Sequence, residues 1–390
     1  MNKRIYLSLA QMTGEEQAYI QEAFDTNWVA PLGPNVTRFE EALRNFLMKG
    51  TSFTSHFSPL TSSKYVVALS SGTAAIHLGL LLLGVKPGDE VICQSFTFAA
   101  SANPIRYLGA IPVFVDSEPE TWNMSPELLE EAIADRIRVT GKKPKAIIPV
   151  HLYGMPAKID RICEIAEEYE IPVLEDAAEA LGSVYKGQKC GTFGEFSVLS
   201  FNGNKIITTS GGGALVCSTA EQAEKALFYA TQARDQAAHY QHSEIGYNYR
   251  MSNICAGIGL GQMGALSQFI KRRQKIHHYY MDTLSGIPGI WFLDNPSKEV
   301  RSNHWLTCIL IDSDFDREDV RLAMERANIE TRPLWKPLHL QPVFRDFPFY
   351  GDGTSEQLFE QGLCLPSGVG LTEEELGKVM KVVVDMYNDK

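Results

Sequence analysis

Lys205 is the residue whose surroundings in this sequence most favour reaction chemistry. It follows a short apolar strand predicted over residues 196–201, and three consecutive glycines occupy positions 211–213. A lysine withdrawn from water becomes a nucleophile towards carbonyl groups, so its place after a buried strand favours that chemistry. Taken alone, the stretch fits equally a hairpin with an exposed lysine in its turn, and the other motifs have to decide.

Hydroxyl side chains gather where the first strand of an α/β pattern is predicted to end. The run Ser70-Ser71-Gly72-Thr73-Ala74 follows a strand that ends at Leu69 and leads into a helix. Hydroxyls and unpaired N–H groups at a helix N-terminus bind anions, and the helix dipole strengthens that binding. The run therefore predicts a phosphate site, although an ordinary N-cap with a tight turn would use the same residues.

Carboxylates follow another buried strand. Asp176 lies in the run Glu175-Asp176-Ala177-Ala178-Glu179-Ala180, directly after a predicted strand core at 173–174. Ligands of open α/β sheets bind at the carboxyl ends of strands. A carboxylate at this position can keep a pyridine nitrogen protonated, as in pyridoxal phosphate enzymes. An N-cap is the alternative interpretation.

Three further runs are weak evidence singly. Phe96-Thr97-Phe98 offers a ring that can stack on a flat ligand, His151-Leu152-Tyr153-Gly154 offers polar rings, and residues 246–253 are polar and aromatic. Core packing or a solvated helix start explains each of them as well. Their shared position is more informative, because these residues, with Ser200 five positions before Lys205, follow strands of one domain. We therefore expect them to surround one ligand.

Short apolar strands alternate with helices from residue 64 onward, as in a parallel sheet covered by helices. Two helices precede this pattern, and residues 49–63 are predicted to form an exposed loop. The sequence predicts an α/β fold with a large, mostly parallel domain over residues 1–270 and a smaller C-terminal α+β domain over 271–390. The predicted strands are 65–69, 90–93, 111–115, 146–150, 173–174, 196–201, 214–217 and 305–311, and the predicted helices are 14–26, 36–48, 73–83, 97–108, 126–138, 158–169, 220–232, 252–270 with a polar continuation to 284, 317–327 and 372–388, with a Pro-rich aromatic loop at 333–350.

Composition and charge exclude several classes of protein. The 390 residues are enough for two domains, and the net charge of −11 argues against nucleic acid or an anionic membrane as the main partner. Seven scattered cysteines without a C-x-x-C motif fit reduced cytosolic thiols better than disulfides or a metal site. The apolar runs are too short for a signal peptide or a membrane span, so a soluble cytoplasmic protein is predicted.

With these motifs in fixed order, the chain resembles the DegT/DnrJ/EryC1/StrS family of sugar aminotransferases, which have the fold-type I, aspartate aminotransferase-like architecture. Within that family it is similar to the PglE-type enzymes that make UDP-2-acetamido-4-amino-2,4,6-trideoxyhexoses. That narrower likeness is in residues 202–213 and 330–336. The motifs shared with the family are Asn27-Trp28, Gly33-Pro34, Phe39-Glu40, residues 70–75, 88–92, 109–116, 149–154 and 175–180, and Gly246-Tyr247-Asn248-Tyr249-Arg250.

The resemblance implies pyridoxal 5'-phosphate (PLP) as the cofactor, alternating with its aminated form. Lys205 would attach covalently to PLP and move protons during catalysis. Asp176 would hold the pyridine nitrogen protonated, Phe98 would stack on the ring, and Glu179 would lie near the ring's 3-hydroxyl.

The resemblance also implies contacts to the cofactor phosphate from two subunits. Gly72, Thr73 and Ser200 would bind the phosphate of their own chain's cofactor. Asn248 would reach the phosphate in the other subunit, so a homodimer with shared active sites is expected. Many family members carry an acidic residue where this chain has Gly211, a change that the narrower subgroup shares.

The predicted reaction moves an amino group from L-glutamate to C4 of a nucleotide-linked 4-keto-6-deoxy sugar. Basic and imidazole side chains are the expected substrate contacts, because guanidinium groups offer paired donors to phosphate oxygens. An exposed surface explains the same charges. A sugar dehydratase of this family would carry histidine in place of Lys205, and a regulator without turnover is disfavoured by the intact motifs. The predicted substrate-binding residues are His151, Arg301, Arg332, Lys336 and His339.

Overall fold

The computed structural model describes residues 3–50, 64–312 and 316–388. The predicted loop at 49–63 lies outside these residues, apart from its first two positions. The helices are α1 Glu16–Asp25, α2 Pro34–Met48, α3 Gly72–Leu82, α4 Asn103–Tyr107, α5 Pro126–Thr140, α6 Ile159–Glu168, α7 Ala220–Ala230, α8 Asn253–Met263, α9 Leu266–Leu284, α10 Arg317–Arg326, α11 Thr354–Gln361 and α12 Glu373–Asn388. The strands are β1 Tyr65–Leu69, β2 Glu90–Gln94, β3 Ile111–Val115, β4 Ala146–Ile148, β5 Leu174–Asp176, β6 Val184–Tyr185, β7 Gln188–Lys189, β8 Phe196–Ser200, β9 Gly213–Cys217, β10 Ile290–Phe292, β11 Val300–Arg301, β12 Thr307–Ile311, β13 Arg332–Pro333, β14 Phe349–Tyr350 and β15 Gly362–Leu365.

A central sheet has the strand order β14-β3-β2-β4-β5-β8-β9-β1. Regular ladders join the first four and the last four strands, and parallel bridges between Ile147 and Val173 and between Val150 and Asp176 connect the two halves. Every neighbouring pair is parallel except the two that involve β9. The central strands are buried on both faces, which is why they read as continuous apolar runs. The predicted, mostly parallel α/β architecture is confirmed.

Glycines in α8 let this helix approach α1 and α2 closely. A Cβ atom at Gly259 would lie 2.6 Å from the Phe39 ring of α2, and one at Gly261 would lie 2.6 Å from the backbone nitrogen of Glu16 in α1. The small residues of α8 therefore serve contacts within the chain. Helix α3 packs on β8 and β9, and its first residue, Gly72, lies against Ser200 at the end of β8.

A second sheet, with the order β10-β12-β15-β13, forms the core of the C-terminal region with α9, α10 and α12. A third, three-stranded sheet combines β11 with the β6–β7 hairpin. The aromatic loop predicted at 333–350 returns to the central sheet, because Phe349 of β14 pairs in parallel with Phe114 of β3. The domain boundary at residue 270 stays a prediction.

Two predicted helices differ from the structure. The helix expected over 97–108 is a short turn, Ala99–Ser101, followed by α4. Pro104 has no N–H to donate and is tolerated only in the first turn of a helix, so a new helix begins at Asn103 and the expected helix is not continuous. The helix expected from 252 to 284 ends at Met263 and begins again at Leu266, with Gly264 between. Among the described residues, no helix is long and apolar enough to cross a membrane.

Candidate active site

A cavity of about 290 Å³ opens at the carboxyl ends of β5 and β8, against the first turn of α3. This is the edge of a parallel sheet at which ligands bind. It is lined by all the residues predicted to hold a cofactor, apart from Asn248. The lining includes Gly72, Thr73, Phe98, Ser101, Asp176, Glu179, Ser200, Lys205, Trp305 and Trp335.

The N-terminus of α3 forms the anion-binding end of this cavity. The Ser71 hydroxyl accepts a hydrogen bond from the Ala74 N–H at 3.0 Å, which caps the helix. The first N–H groups of a helix have no acceptor within it, so those of Gly72 and Thr73 are available to a phosphate. A Cβ atom at Gly213 would lie 2.4 Å from the Gly72 nitrogen, so the glycine run after Lys205 lets β9 approach this turn.

Asp176 is a buried carboxylate at the end of β5. The Ser101 hydroxyl donates to its Oδ2 at 2.7 Å, and the Ala178 N–H donates to its Oδ1 at 3.1 Å. Burial raises the pKa of Asp176, and these two hydrogen bonds oppose the rise. A cation or a shared proton facing this carboxylate would offset the cost of its burial.

Lys205 and Glu179 face each other in the same cavity. The Lys205 ammonium is 3.2 Å from Glu179 Oε1 and 4.0 Å from the centre of the Trp305 ring. The other Glu179 oxygen accepts from the Tyr153 N–H at 2.8 Å. Burial raises the pKa of Glu179, and the Lys205 ammonium opposes the rise. Lys205 is therefore a largely buried side chain and not an exposed turn residue.

Aromatic rings form one wall of the cavity, and two of them, Trp305 and Trp335, were not indicated by the strand-end motifs. Trp305 and Trp335 line the cavity, and the buried Tyr153 ring stacks between them, with ring centres 6.3 and 6.0 Å away. The Tyr153 hydroxyl accepts a hydrogen bond from the backbone N–H of Trp335 at 2.8 Å. Phe98 is half exposed and lies against Trp335 at a tilt of 52°. The two tryptophans come from the C-terminal third, where no strand-end pattern pointed to them.

The structure places neither His151 nor His339, both predicted to bind substrate, among the residues that line the cavity or its neighbour. His151 is fully buried, with Nε2 2.8 Å from Glu175 Oε1 and Nδ1 accepting from the Ala157 N–H at 3.0 Å. His339 stacks on Phe349, and its two ring nitrogens contact Ser95 and Glu356. Because both nitrogens of each ring are already paired, neither imidazole is free to hold a ligand.

The three predicted basic contacts lie at different distances from the cavity. Arg332 lines an adjoining cavity of about 420 Å³, which shares Asn204 and both tryptophans with the first, and its guanidinium pairs with Glu330 at 2.8 Å. Lys336 is exposed beside Trp335. Arg301 is exposed on β11 and lines neither cavity. Of the three, the structure places only Arg332 at the site.

Asn248 is exposed and lines neither of these two cavities. Its backbone bridges Thr231, which fixes it on the molecule's surface beside the partly buried Tyr247 and Tyr249. This placement is compatible with a contact to a second subunit, and the homodimer stays a prediction.

The model of the DegT/DnrJ/EryC1/StrS aminotransferase family matches residues 10–384. The chain belongs to this family. The resemblance predicted from the ordered motifs is thereby confirmed at the level of the family. The PglE-type specificity stays a prediction.

Relatives and solved structures agree over the whole chain. EpsN of Bacillus subtilis, named as a pyridoxal phosphate-dependent aminotransferase, is 50% identical over all of this chain and 97% of its own length. GDP-perosamine synthase of Escherichia coli O157:H7 is 37% identical, covering 97% of each chain. UDP-4-amino-4-deoxy-L-arabinose–oxoglutarate aminotransferase of Shewanella sediminis is 33% identical, covering 99% of each. The PLP form of the sugar aminotransferase Spr1654 from Streptococcus pneumoniae superposes with a TM-score of 0.88 at 26% identity, covering 99% of each chain.

The protein is therefore a PLP-dependent aminotransferase that acts on nucleotide sugars. Its cavity fits the cofactor on observations of its own. Within the described part of the chain, the hydrogen bonds to the buried Asp176 carboxylate come from a hydroxyl and a backbone N–H and none from a cation, which suits a site for a protonated pyridine nitrogen. The first N–H groups of α3 suit the cofactor phosphate, and Lys205 lines the same cavity.

Proposed function

We propose that this chain transfers the amino group of L-glutamate to the C4 keto group of a nucleotide-linked 4-keto-6-deoxy sugar, most simply UDP-2-acetamido-2,6-dideoxy-hexos-4-ulose, for glycan biosynthesis in the cytoplasm. The observation that carries the proposal is the placement of the Lys205 ammonium, 3.2 Å from the buried Glu179 carboxylate in the cavity that also contains Asp176. A lysine in this position can exchange protons with a bound substrate.

Each residue of the cavity has a role in this proposal. PLP supplies the electron sink that stabilises the carbanion formed at the reacting carbon. Lys205 Nζ attaches the cofactor and moves the proton, Asp176 keeps the pyridine nitrogen protonated, and Glu179 holds the lysine and the ring's 3-hydroxyl in place. Phe98 covers the ring, and Gly72, Thr73 and Ser200 bind its phosphate.

Two relatives support the proposed donor and the proposed position of amination. One relative produces a UDP-linked 4-amino sugar and is paired with oxoglutarate, which is the keto acid left by glutamate. Another is a GDP-perosamine synthase, so relatives of this chain differ in the nucleotide that their substrates carry. Amination of a GDP- or dTDP-linked keto sugar at C3 or C4 is the second candidate, and the adjoining cavity with Arg332 is the proposed place for the diphosphate.

The test is a panel of UDP-, GDP- and dTDP-linked 4-keto-6-deoxy sugars, each incubated with protein, PLP and glutamate. Formation of 2-oxoglutarate is measured, and the aminated carbon is located by NMR. We expect turnover with the UDP-linked acetamido sugar to exceed that with the others and the new C–N bond to be at C4. Turnover only with a GDP- or dTDP-linked sugar, or amination at C3, would replace the proposal by the second candidate. The absence of oxoglutarate with every sugar would favour a regulatory protein.

A further inference from the structure

The carbonyl group of Asn204, the residue directly before Lys205, accepts two side-chain hydrogen bonds. The Ser8 hydroxyl donates to it at 3.0 Å, and the Trp305 indole Nε1–H donates to it at 2.7 Å. Ser8 belongs to the N-terminal segment and Trp305 to the C-terminal region. The peptide that carries the reactive lysine is therefore held by two distant parts of the chain.

Arg273 of α9 holds both of these donors. Its Nη2 donates to the Ser8 hydroxyl at 3.0 Å, and its Nη1 donates to the backbone carbonyl of Trp305 and, at 3.1 Å, to that of Ser367. The planar guanidinium suits this task because it presents several donors in fixed directions, whereas an ammonium is a single point of charge. We call Arg273, Ser8, Trp305 and Asn204 the Arg273 relay.

The environment of Arg273 is unusual for a charged side chain. It is fully buried, and in the described part of the chain none of its hydrogen bonds goes to a carboxylate. Burial lowers its pKa to about 9. Packing the α9 helix needs only an apolar side chain at such a position, and a buried charge without a carboxylate is costly. The burial of this charge is explained if the guanidinium donors are needed to hold Ser8 and Trp305 in place.

Trp305 connects the relay to the side chain of Lys205 as well as to its backbone. Its ring lies 4.0 Å from the Lys205 ammonium, opposite Glu179. The Asn303 side chain accepts from the backbone N–H of Trp305 at 2.8 Å and donates to the backbone carbonyl of Glu179 at 2.9 Å. The indole therefore contacts both the lysine side chain and its peptide, and Asn303 ties the backbone of Trp305 to the backbone of Glu179.

We propose that Arg273 is a positioning residue for the reaction, which fixes the place of Lys205 through Ser8 and Trp305 without touching it. The inference rests on the proposed role of Lys205. Loss of one hydrogen bond to the Asn204 carbonyl should raise the population of protein with a displaced lysine peptide about fivefold. This is the effect expected for one hydrogen bond of ordinary strength. The effect belongs to the rate of reaction at saturating substrate and not to substrate affinity.

The variants Ser8→Ala, Trp305→Phe and Arg273→Lys test the relay, and Val379→Ala is the matched control. Val379 of α12 is buried in the hydrophobic cluster of the C-terminal region, to which no relay residue belongs, so its truncation should lower stability without removing a hydrogen bond of the relay. The first readout uses cofactor-free protein: acetylation of Lys205 by acetic anhydride, which releases acetate, is measured by mass spectrometry relative to the exposed Lys142. The second readout is the rate at which the bound cofactor's absorbance changes after glutamate is added.

We expect Ser8→Ala and Trp305→Phe each to raise the relative acetylation of Lys205 about fivefold and to slow the reaction at saturating glutamate by a similar factor, with half-saturation unchanged. The Ser8→Ala change should add little on top of Arg273→Lys, because both act through one carbonyl. Effects on acetylation and rate no larger than those of Val379→Ala would overturn the proposal. If acetylation responds but none of the proteins reacts with glutamate, the relay stands and the proposed function fails.

Discussion

At the residue scale, the site places charged side chains and aromatic rings close together. A lysine, two carboxylates and three aromatic rings share one cavity, and burial raises the pKa of both Asp176 and Glu179. The cost of burying Asp176 is offset when a protonated ring nitrogen faces it. Cofactor binding and the charge state of this carboxylate are therefore coupled.

Asp176→Asn should change how the stability of the cofactor-free protein depends on pH. A carboxylate whose pKa is raised on folding stabilises the folded state below its unfolded value of about 3.8, and that contribution is lost as pH rises through the folded pKa. From below the unfolded pKa up to pH 7.5, the wild type should thus lose more stability than the variant, by about 1.4 kcal/mol for each unit of raised pKa. Thermal melting of both proteins at several pH values measures this. Parallel pH profiles would contradict it, and the variant should also bind PLP more weakly.

Much of the site was predictable from residue types at strand ends. Lys205, Asp176, Ser200 and the Gly72–Thr73 turn all lie at the same edge because parallel strands bring their carboxyl ends together. His151 was predicted at the site for the same reason, since it also follows a strand, but its ring turns inward to Glu175. Side-chain direction after a strand depends on tertiary packing, which spacing does not encode.

At the element scale, short-range patterns identified the regular strands and missed the pieces that pair at long range. The two-residue strand β14 exists only because β3 offers it an edge, about 235 residues away in sequence by the register of Phe349 and Phe114. Trp305 and Trp335 reach the cavity through similar irregular segments. Arg273, in contrast, reads as one of several basic residues on a polar helix, and only the packing of α9 shows that it is buried.

A stacked imidazole pair in the C-terminal region should make the fold sensitive to acid. The His277 and His304 rings are 3.7 Å apart and buried, and Asp294 and His278 are the other titratable groups that face them. Burial lowers the pKa of both imidazoles, that of His304 strongly. The unfolded chain then binds protons below about pH 6.5 that the folded chain does not, so stability falls as pH falls.

The variant His304→Asn tests this element. Between pH 7.5 and 5.5 the wild type should lose about 1 kcal/mol more unfolding free energy than the variant, since one unfolded-state imidazole gains a proton in that interval. Urea unfolding at equal protein concentration measures the difference. An equal loss in both proteins would show that His304 is not the titrating group.

At the scale of the whole molecule, a complete site is expected to need two subunits. Asn248 is exposed on its own chain, and the predicted contact is with the cofactor phosphate of a partner. Mixing Asn248→Ala with Lys205→Ala protein should therefore restore activity, because a hybrid dimer contains one site with both residues. After free exchange of subunits, about a quarter of the sites would be intact. Activity assays before and after exchange check this, and no recovery in proven hybrids would place Asn248 in its own chain's site or in none.

The most direct measurement of the central claim is the absorbance spectrum of the protein with PLP, followed as glutamate and then the keto sugar are added. The wild type should show the band of the lysine-bound cofactor, lose it when glutamate donates its amino group, and recover it when the nucleotide keto sugar accepts that group. Lys205→Ala should show no such band and should lose turnover by several orders of magnitude. A Lys205→Ala protein that turns over like the wild type, or a wild type whose spectrum does not respond to glutamate, would contradict the account.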